Sequence, residues 1–261
     1  MDKSNIDKIA QEPEDRLLLA KLFDKIQNGI RRNIPVNTGF LSPRELELAR
    51  YLFGDLEGLH TFGGWEGAER RMLCYLPDYL EPTCLSEEDG PIVCLHGSFF
   101  EGDALSHRDI LGALMGAGID RDTVGDIFTG KGTCEILVSA TIAPYLLEQF
   151  TGAGRTRIHL SLLPLSQLEP PQPQIKEIRD TVASLRLDSL IGSGFRVSRT
   201  VAAQHIAAGR VAIDGLPCQK PDKPVEQGSK ISVRGLGKIL IYSVNGQTKK
   251  GRISVVIHRY V

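Results

Sequence analysis

The sequence predicts an α+β chain built in parts. A small helical N-terminal unit covers residues 1–61, and a ferredoxin-like βαββαβ domain covers 62–165. A Pro-rich linker (166–180) then leads to a module of two short helices followed by strands (181–261). Three observations carry this reading. Apolar residues recur at helical spacing near the start. Strand-like and helix-like runs alternate in a fixed order through the middle. A capped helix pair and hairpin signals stand near the end.

From Pro13 to Asn28, Leu19, Phe23, Ile26 and Ile30 form one apolar stripe. A second helix opens at Ser42-Pro43-Arg44-Glu45, where Ser42 and Glu45 make a capping box and Pro43 suits the first helical position. It runs through Leu46, Ala49 and Phe53 to Gly54. The Gly-rich stretch 62–71 reads as a turn feeding a strand near Arg71 to Leu76. Gly63-Gly64 lacks the length and the following Lys-Ser/Thr of a phosphate loop. Pro77 to Gly90 is acidic and turn-rich, which predicts a loop.

The next segments alternate in type. Ile92 to Ser98 reads as a strand and Ser106 to Met115 as a helix capped by Ser106. Val124 to Phe128 and Thr133 to Ser139 read as strands around Gly130-Lys131-Gly132. Ile142 to Phe150 reads as a helix and Arg157 to Leu163 as a strand. That order is the split βαβ unit of ferredoxin-like folds, which RNA-recognition domains share. Those domains stack bases on aromatics of the central strands. The central strands here offer only Phe128, so stacking on this sheet has little support. His107 is expected to serve the helix start by a hydrogen bond rather than as a general base.

Pro164, Pro170, Pro171 and Pro173 mark a semi-rigid linker. Beyond it, Leu187, Leu190 and Ile191 share one helix face. Ser198 is a good N-cap for a second helix carrying Val201, Ala202 and Ile206, and Gly209 suits the left-handed residue that ends it. Val211-Ala212-Ile213 reads as a strand that turns at Asp214-Gly215. Lys238 to Ser243 and Ile253 to His258 read as strands around Asn245-Gly246 and Lys249-Lys250-Gly251. Gly235-Leu236-Gly237-Lys238 reads as a flexible basic turn.

Charge is unevenly spread. Of 31 Lys+Arg and 32 Asp+Glu, residues 176–261 hold 15 and 6, a surplus of +9; the remainder holds 16 and 26, a deficit of −10. A basic third on an acidic body suits a chain with one polyanion-binding module. Arg199 opens a helix, where a cation opposes the helix dipole and a bound phosphate would reverse the sign. The five cysteines form no C-x-x-C pair and read as small apolar residues rather than a zinc site or disulfide framework. No long apolar run predicts a membrane span, and the start shows no secretory signal.

Arg186-Leu187-Asp188, Ser198-Arg199, Ile206…Gly209-Arg210-Val211 and Asp214-Gly215 together resemble the S4 RNA-binding domain, with Asp214 where Asn is common. Phe62-Gly63-Gly64…Ala68-Glu69-Arg70, the run Ser106 to Met115 and Gly125-Asp126-Ile127 are similar to the YlmH family of bacterial and plastid proteins. This resemblance spans roughly Phe62 to Val261. It implies a ribosome-associated protein whose S4 domain faces large-subunit rRNA and tRNA, with a role in rescuing stalled large subunits that carry peptidyl-tRNA. Relatives in photosynthetic organisms are named photosystem II S4 domain proteins.

The expectation is therefore a non-catalytic RNA-binding protein with no cofactor, no metal and no membrane insertion. Its partners would be rRNA, tRNA and the ribosome, in the cytoplasm or the plastid stroma. Arg186, Arg196, Ser198, Arg199, Thr200, Gln204, Arg210, Lys220, Arg234 and Lys238 are the residues expected to hold RNA. Two other functions compete with it. Pseudouridine synthases carry S4 domains and an Arg-Leu-Asp catalytic motif, but only 73 residues follow Asp188, too few for a synthase domain, so Asp188 reads as structural. A protein-assembly factor for photosystem or other membrane complexes would use the acidic front as its partner surface.

Overall fold

The computed structural model describes residues 5–10, 12–248 and 251–260. The chain divides between Pro171 and Gln172 into two compact units.

The first unit opens with α1 (Ile6–Ile9) and α2 (Pro13–Arg32). A left-handed Asn33 ends α2, one turn beyond the expected Asn28. Leu19, Leu22 and Ile26 are its buried apolar residues. After β1 (Val36–Asn37) comes α3 (Pro43–Phe53), which carries the expected Ser42/Glu45 capping box. Asp15 ties α2 to α3. It is 2% exposed, and the Arg44 guanidinium donates to both its oxygens at 2.5 and 2.8 Å.

The front of the chain is not purely helical. β1 and β2 (Leu59–Phe62) flank β3 (Met72–Tyr75) in an antiparallel sheet. A boundary at residue 61 would cut that sheet. Two-residue β1 is too short to show the strand period, so pairing with distant β3 decides it. The loop expected over 77–90 contains a 3₁₀ turn at Pro82–Ser86, whose Leu85 is buried.

The middle elements follow the expected order. They are β4 (Ile92–Ser98), α4 (His107–Gly116), β5 (Val124–Thr129), β6 (Thr133–Ser139) and α5 (Ala143–Gln149). A small hairpin of β7 (Gly152–Ala153) and β8 (Thr156–Arg157) precedes β9 (His159–Leu163). The sheet order β5-β6-β4-β9, with every neighbouring pair antiparallel, is the ferredoxin-like arrangement. One face packs on α4 and α5 through Leu95, Ile110, Val138 and Leu146. Ile92, Cys94 and Leu137 point to the other face, where Phe40, Met72, Leu76 and Leu85 cover them.

The second unit begins with β10 (Ile175–Val182), where part of the linker was expected. β10 pairs along its whole length with β15 (Ile253–Tyr260), from Ile175↔Tyr260 to Val182↔Ile253. Lys176, Glu177, Arg179 and Asp180 dilute its apolar pattern, as suits a strand at a sheet edge. Only Ile178 and Val182 are buried. Then come α6 (Leu187–Phe195), α7 (Arg199–Ala207), β11 (Val211–Ile213), β12 (Leu216–Pro217), β13 (Lys230–Val233) and β14 (Gly237–Gln247). The sheet order is β10-β15-β14-β13-β11-β12. β11 and β12 close over Asp214-Gly215, both at positive φ (50° and 84°), a type I′ hairpin as expected.

The expected turn at Asn245-Gly246 is instead strand. Register shifts on either side of Ser243 to Asn245 absorb the irregularity, and β14 runs on to Gln247. Thr248 N–H donates to the Arg252 carbonyl, closing the turn further on. Lys249 and Lys250 lie outside the described residues.

Candidate nucleic-acid interface

Local chemistry builds the helix pair. Leu187, Leu190, Ile191 and Phe195 of α6 and Ala202 and Ile206 of α7 enter a core with Ile231, Ile239, Ile241, Val255 and Ile257. Arg196 takes the left-handed conformation (φ 56°) that ends α6. The Ser198 hydroxyl accepts the Val201 N–H at 3.2 Å and starts α7. Gly194 packs closely on the sheet, since a Cβ there would sit 2.7 Å from the Ile239 Cδ1 and push it aside.

Asp188 organises the basic residues. It is 5% exposed, and its two oxygens serve two cations. The Arg199 guanidinium donates to Oδ2 at 2.6 Å, and Arg186 Nε donates to Oδ1 at 3.4 Å. The two arginine side chains nevertheless remain 59% and 42% exposed. This carboxylate answers the question of a cation in a helix's first turn without any external phosphate. Burial alone would raise the Asp188 carboxyl; the Arg199 hydrogen bond and the charges of Arg199 and Arg186 outweigh it and hold it below the usual range. A lowered folded-state value means the stabilisation is present above the unfolded value of about 3.9 and fades as pH falls. Asp188→Asn is expected to cost about 1–2 kcal/mol at pH 7, a modest figure because both cations are half in water. Urea melts between pH 3 and 7 check this. The difference between wild type and variant should shrink toward pH 3, and a constant difference would count against the ion-pair account.

The loop 220–225 lies along the start of α6. Leu187 N–H donates to the Lys223 carbonyl and Asp188 N–H to the Pro221 carbonyl, each at 3.0 Å. Arg186 also bridges Pro224. The first amides of α6 are therefore occupied and cannot cradle an anion. In exchange the loop carries exposed Lys220 and Lys223 alongside Arg186 and Arg199. Lys223 escaped the sequence reading because only this long-range pairing places it.

The remaining candidates spread out. Thr200 and Gln204 sit four residues apart on α7, both exposed. Arg234 N–H donates to the Arg210 carbonyl at 2.9 Å, so these two exposed arginines are backbone neighbours. Arg196 stands at the far end of α6, about 15 Å of helix from Arg186. The Ser198 hydroxyl is committed to its cap. Lys238 alternates with Ile239 and Ile241, which face the helices, so it belongs to the opposite face of the sheet and leaves the cluster.

Residues 185–231 match the model of the S4 domain, and residues 100–167 match the model described as "Putative RNA-binding domain in YlmH". A protein of Bacillus subtilis (strain 168), "Ribosome-associated protein quality control protein P2", is 32% identical over 224 residues, covering 85% of this chain and 86% of that protein. The chain belongs to the YlmH family. "Cell division protein ylmH from Streptococcus pneumoniae", a solved structure, matches with a TM-score of 0.50 at 21% identity. It covers 60% of this chain and 96% of that chain, and shows the shared fold.

The YlmH residues of the first unit prove to be braces. Asp126 accepts from Trp65 Nε1 (3.0 Å), Glu69 N–H (2.9 Å) and Arg70 N–H (3.1 Å). Arg70 in turn donates to the carbonyls of Val124, Phe40 and Arg121. Gly125 leaves room for the Phe40 ring, whose edge would lie 2.6 Å from a Cβ. At the start of α4, Ser106 and Asp109 form the capping box rather than His107. Burial pushes the thiols of Cys74 and Cys94 up to about 12 and that of Cys134 to about 11, as suits packed apolar residues. Among the described residues no group of three His, Cys, Asp or Glu could hold a metal, and no helix is long and apolar enough to cross a membrane.

Proposed function

We propose that this YlmH-family chain is a non-catalytic RNA-binding protein that docks on the ribosome and holds folded large-subunit rRNA and tRNA through its S4 domain. The observation that carries this reading is the pair Arg186 and Arg199, fixed by one buried carboxylate yet half-exposed, with exposed Lys220 and Lys223 on the loop whose backbone meets the start of α6. A guanidinium held in place loses less freedom when it meets a phosphate, and its planar fork matches phosphate oxygens. Thr200, Gln204, Arg210 and Arg234 extend the contact. The family model that matches the S4 domain and the ribosome association in the relative's name support the same reading. Such a protein would work in the cytoplasm or the plastid stroma.

The reading is tested by binding to purified 50S subunits at rising salt. With four to six phosphate contacts, log K should fall against log salt with a slope of about −3 to −5. Affinity that ignores salt, or binding to 50S particles that survives digestion of their RNA, would overturn it.

A further inference from the structure

The face by which ferredoxin-like RNA binders hold bases is mostly occupied here. Phe40, Met72, Leu76 and Leu85 cover Ile92, Cys94 and Leu137. Of what remains, His96 and Glu135 meet each other at 3.1 Å, and Phe128 is engaged edge-on by Trp65 at 5.5 Å between ring centroids. An RNA contact on this domain therefore has to use the other side.

That side holds a cavity of about 590 Å³ between α4 and the β7–β8 hairpin. Ala104, Gly112, Ala153 and Gly154 form much of its lining, and Arg108 and Arg155 border it. Both arginines are exposed and neither makes a hydrogen bond or close ion pair among the described residues, although the charge of Arg108 acts on Asp109, which also lines the cavity. The acidic groups nearby are already engaged. Asp109 accepts Ser106 N–H and Oγ–H at 2.9 and 2.6 Å, against the start of α4, and Asp103 accepts Thr156 Oγ1 at 2.9 Å. The loop that carries Ala104 also carries Phe100, 75% exposed.

Gly112 is the independent observation. It lies inside α4, where glycine is the least favourable residue after proline. Nothing stands within 4 Å of where its Cβ would be, so no packing inside the protein calls for it. A bare helix flank between two exposed guanidiniums lets a partner's backbone come close.

We propose that this cavity is a second RNA contact, in which Arg108 and Arg155 hold a phosphodiester, the ribose lies over Gly112 and Phe100 offers its ring to a base. The proposal rests on the RNA-binding reading above but uses a different domain. An acidic protein segment is disfavoured because the lining provides no large apolar anchor pocket.

The test uses the full chain and 50S subunits. Arg108→Ala with Arg155→Ala should lose about tenfold in affinity, with an unchanged Tm. Gly112→Leu should lose a similar factor while its Tm holds or rises, because the space is open and leucine favours helix. Ultraviolet crosslinking should attach a nucleotide within 100–113 or 153–156. Wild-type affinity in both cavity variants, or a crosslink there to ribosomal protein alone, would overturn the proposal. If Arg186→Ala with Arg199→Ala loses affinity while the cavity variants do not, the S4 reading stands and this one fails; the reverse pattern fails the S4 reading and supports the cavity.

Discussion

Replacing Arg186 and Arg199 together by alanine is expected to weaken binding to 50S subunits by about 2–4 kcal/mol, at about 1–2 for each phosphate contact. That is roughly 30- to 1,000-fold in affinity. The structure adds a complication. The double variant strands Asp188, 5% exposed, without either cation. Part of any loss could then reflect a loosened helix pair, since an unpaired buried carboxylate is costly. Adding Asp188→Asn removes that orphaned charge. The triple variant should recover melting temperature but not affinity. Unchanged co-sedimentation of the double variant with 50S particles would remove these two arginines from the interface. Recovery of affinity in the triple variant would make the pair a stabilising device only.

The second large effect falls in the other unit. Asp126→Ala should destabilise the first unit by about 2–4 kcal/mol, because three donors lose their acceptor at once. Trp65 and the segment of Glu69 and Arg70 would lose their anchor to β5, and with them the cover over the sheet. Hydrogen exchange resolves the units separately. Protection should fall over 59–76 and 124–139 and stay unchanged over 187–260. Uniform loss across both units, or none, would contradict the division into separate cores. Arg70→Ala should act in the same direction but less strongly: the Phe40 carbonyl loses its donor, while the Val124 carbonyl keeps Arg121 and the Arg121 carbonyl keeps the Val124 N–H.

Local chemistry was legible residue by residue. Ser42 with Glu45, Ser106, Ser198, Gly209 and Asp214-Gly215 mark caps and turns that the structure contains. The order of strands and helices through the middle was equally readable, because periods of 2.0 and 3.6 are printed in the apolar residues. Asp188 is a buried acceptor at the start of α6. Its partners are not legible locally, for the first-turn Arg199 that predicts a phosphate meets a carboxylate eleven residues back. β10 hid behind its charges, and Lys238 looked like a member of the basic cluster until strand alternation put it on the other face.

The amino-acid order by itself determined the elements, their ends and the presence of a basic module, because hydrogen-bonding caps, turn φ values and apolar periods act over a few residues. Only the tertiary structure decided which cations share a carboxylate, that the backbone of Lys223 meets the start of α6, that the middle sheet's outer face is covered, and that a cavity bordered by two exposed arginines opens on its helical side. Most of those outcomes depend on pairings between residues far apart in the chain, from eleven residues for Asp188 and Arg199 to almost a hundred for Phe40 and Leu137. Contacts at that separation form only when whole cores assemble, and no local pattern records them.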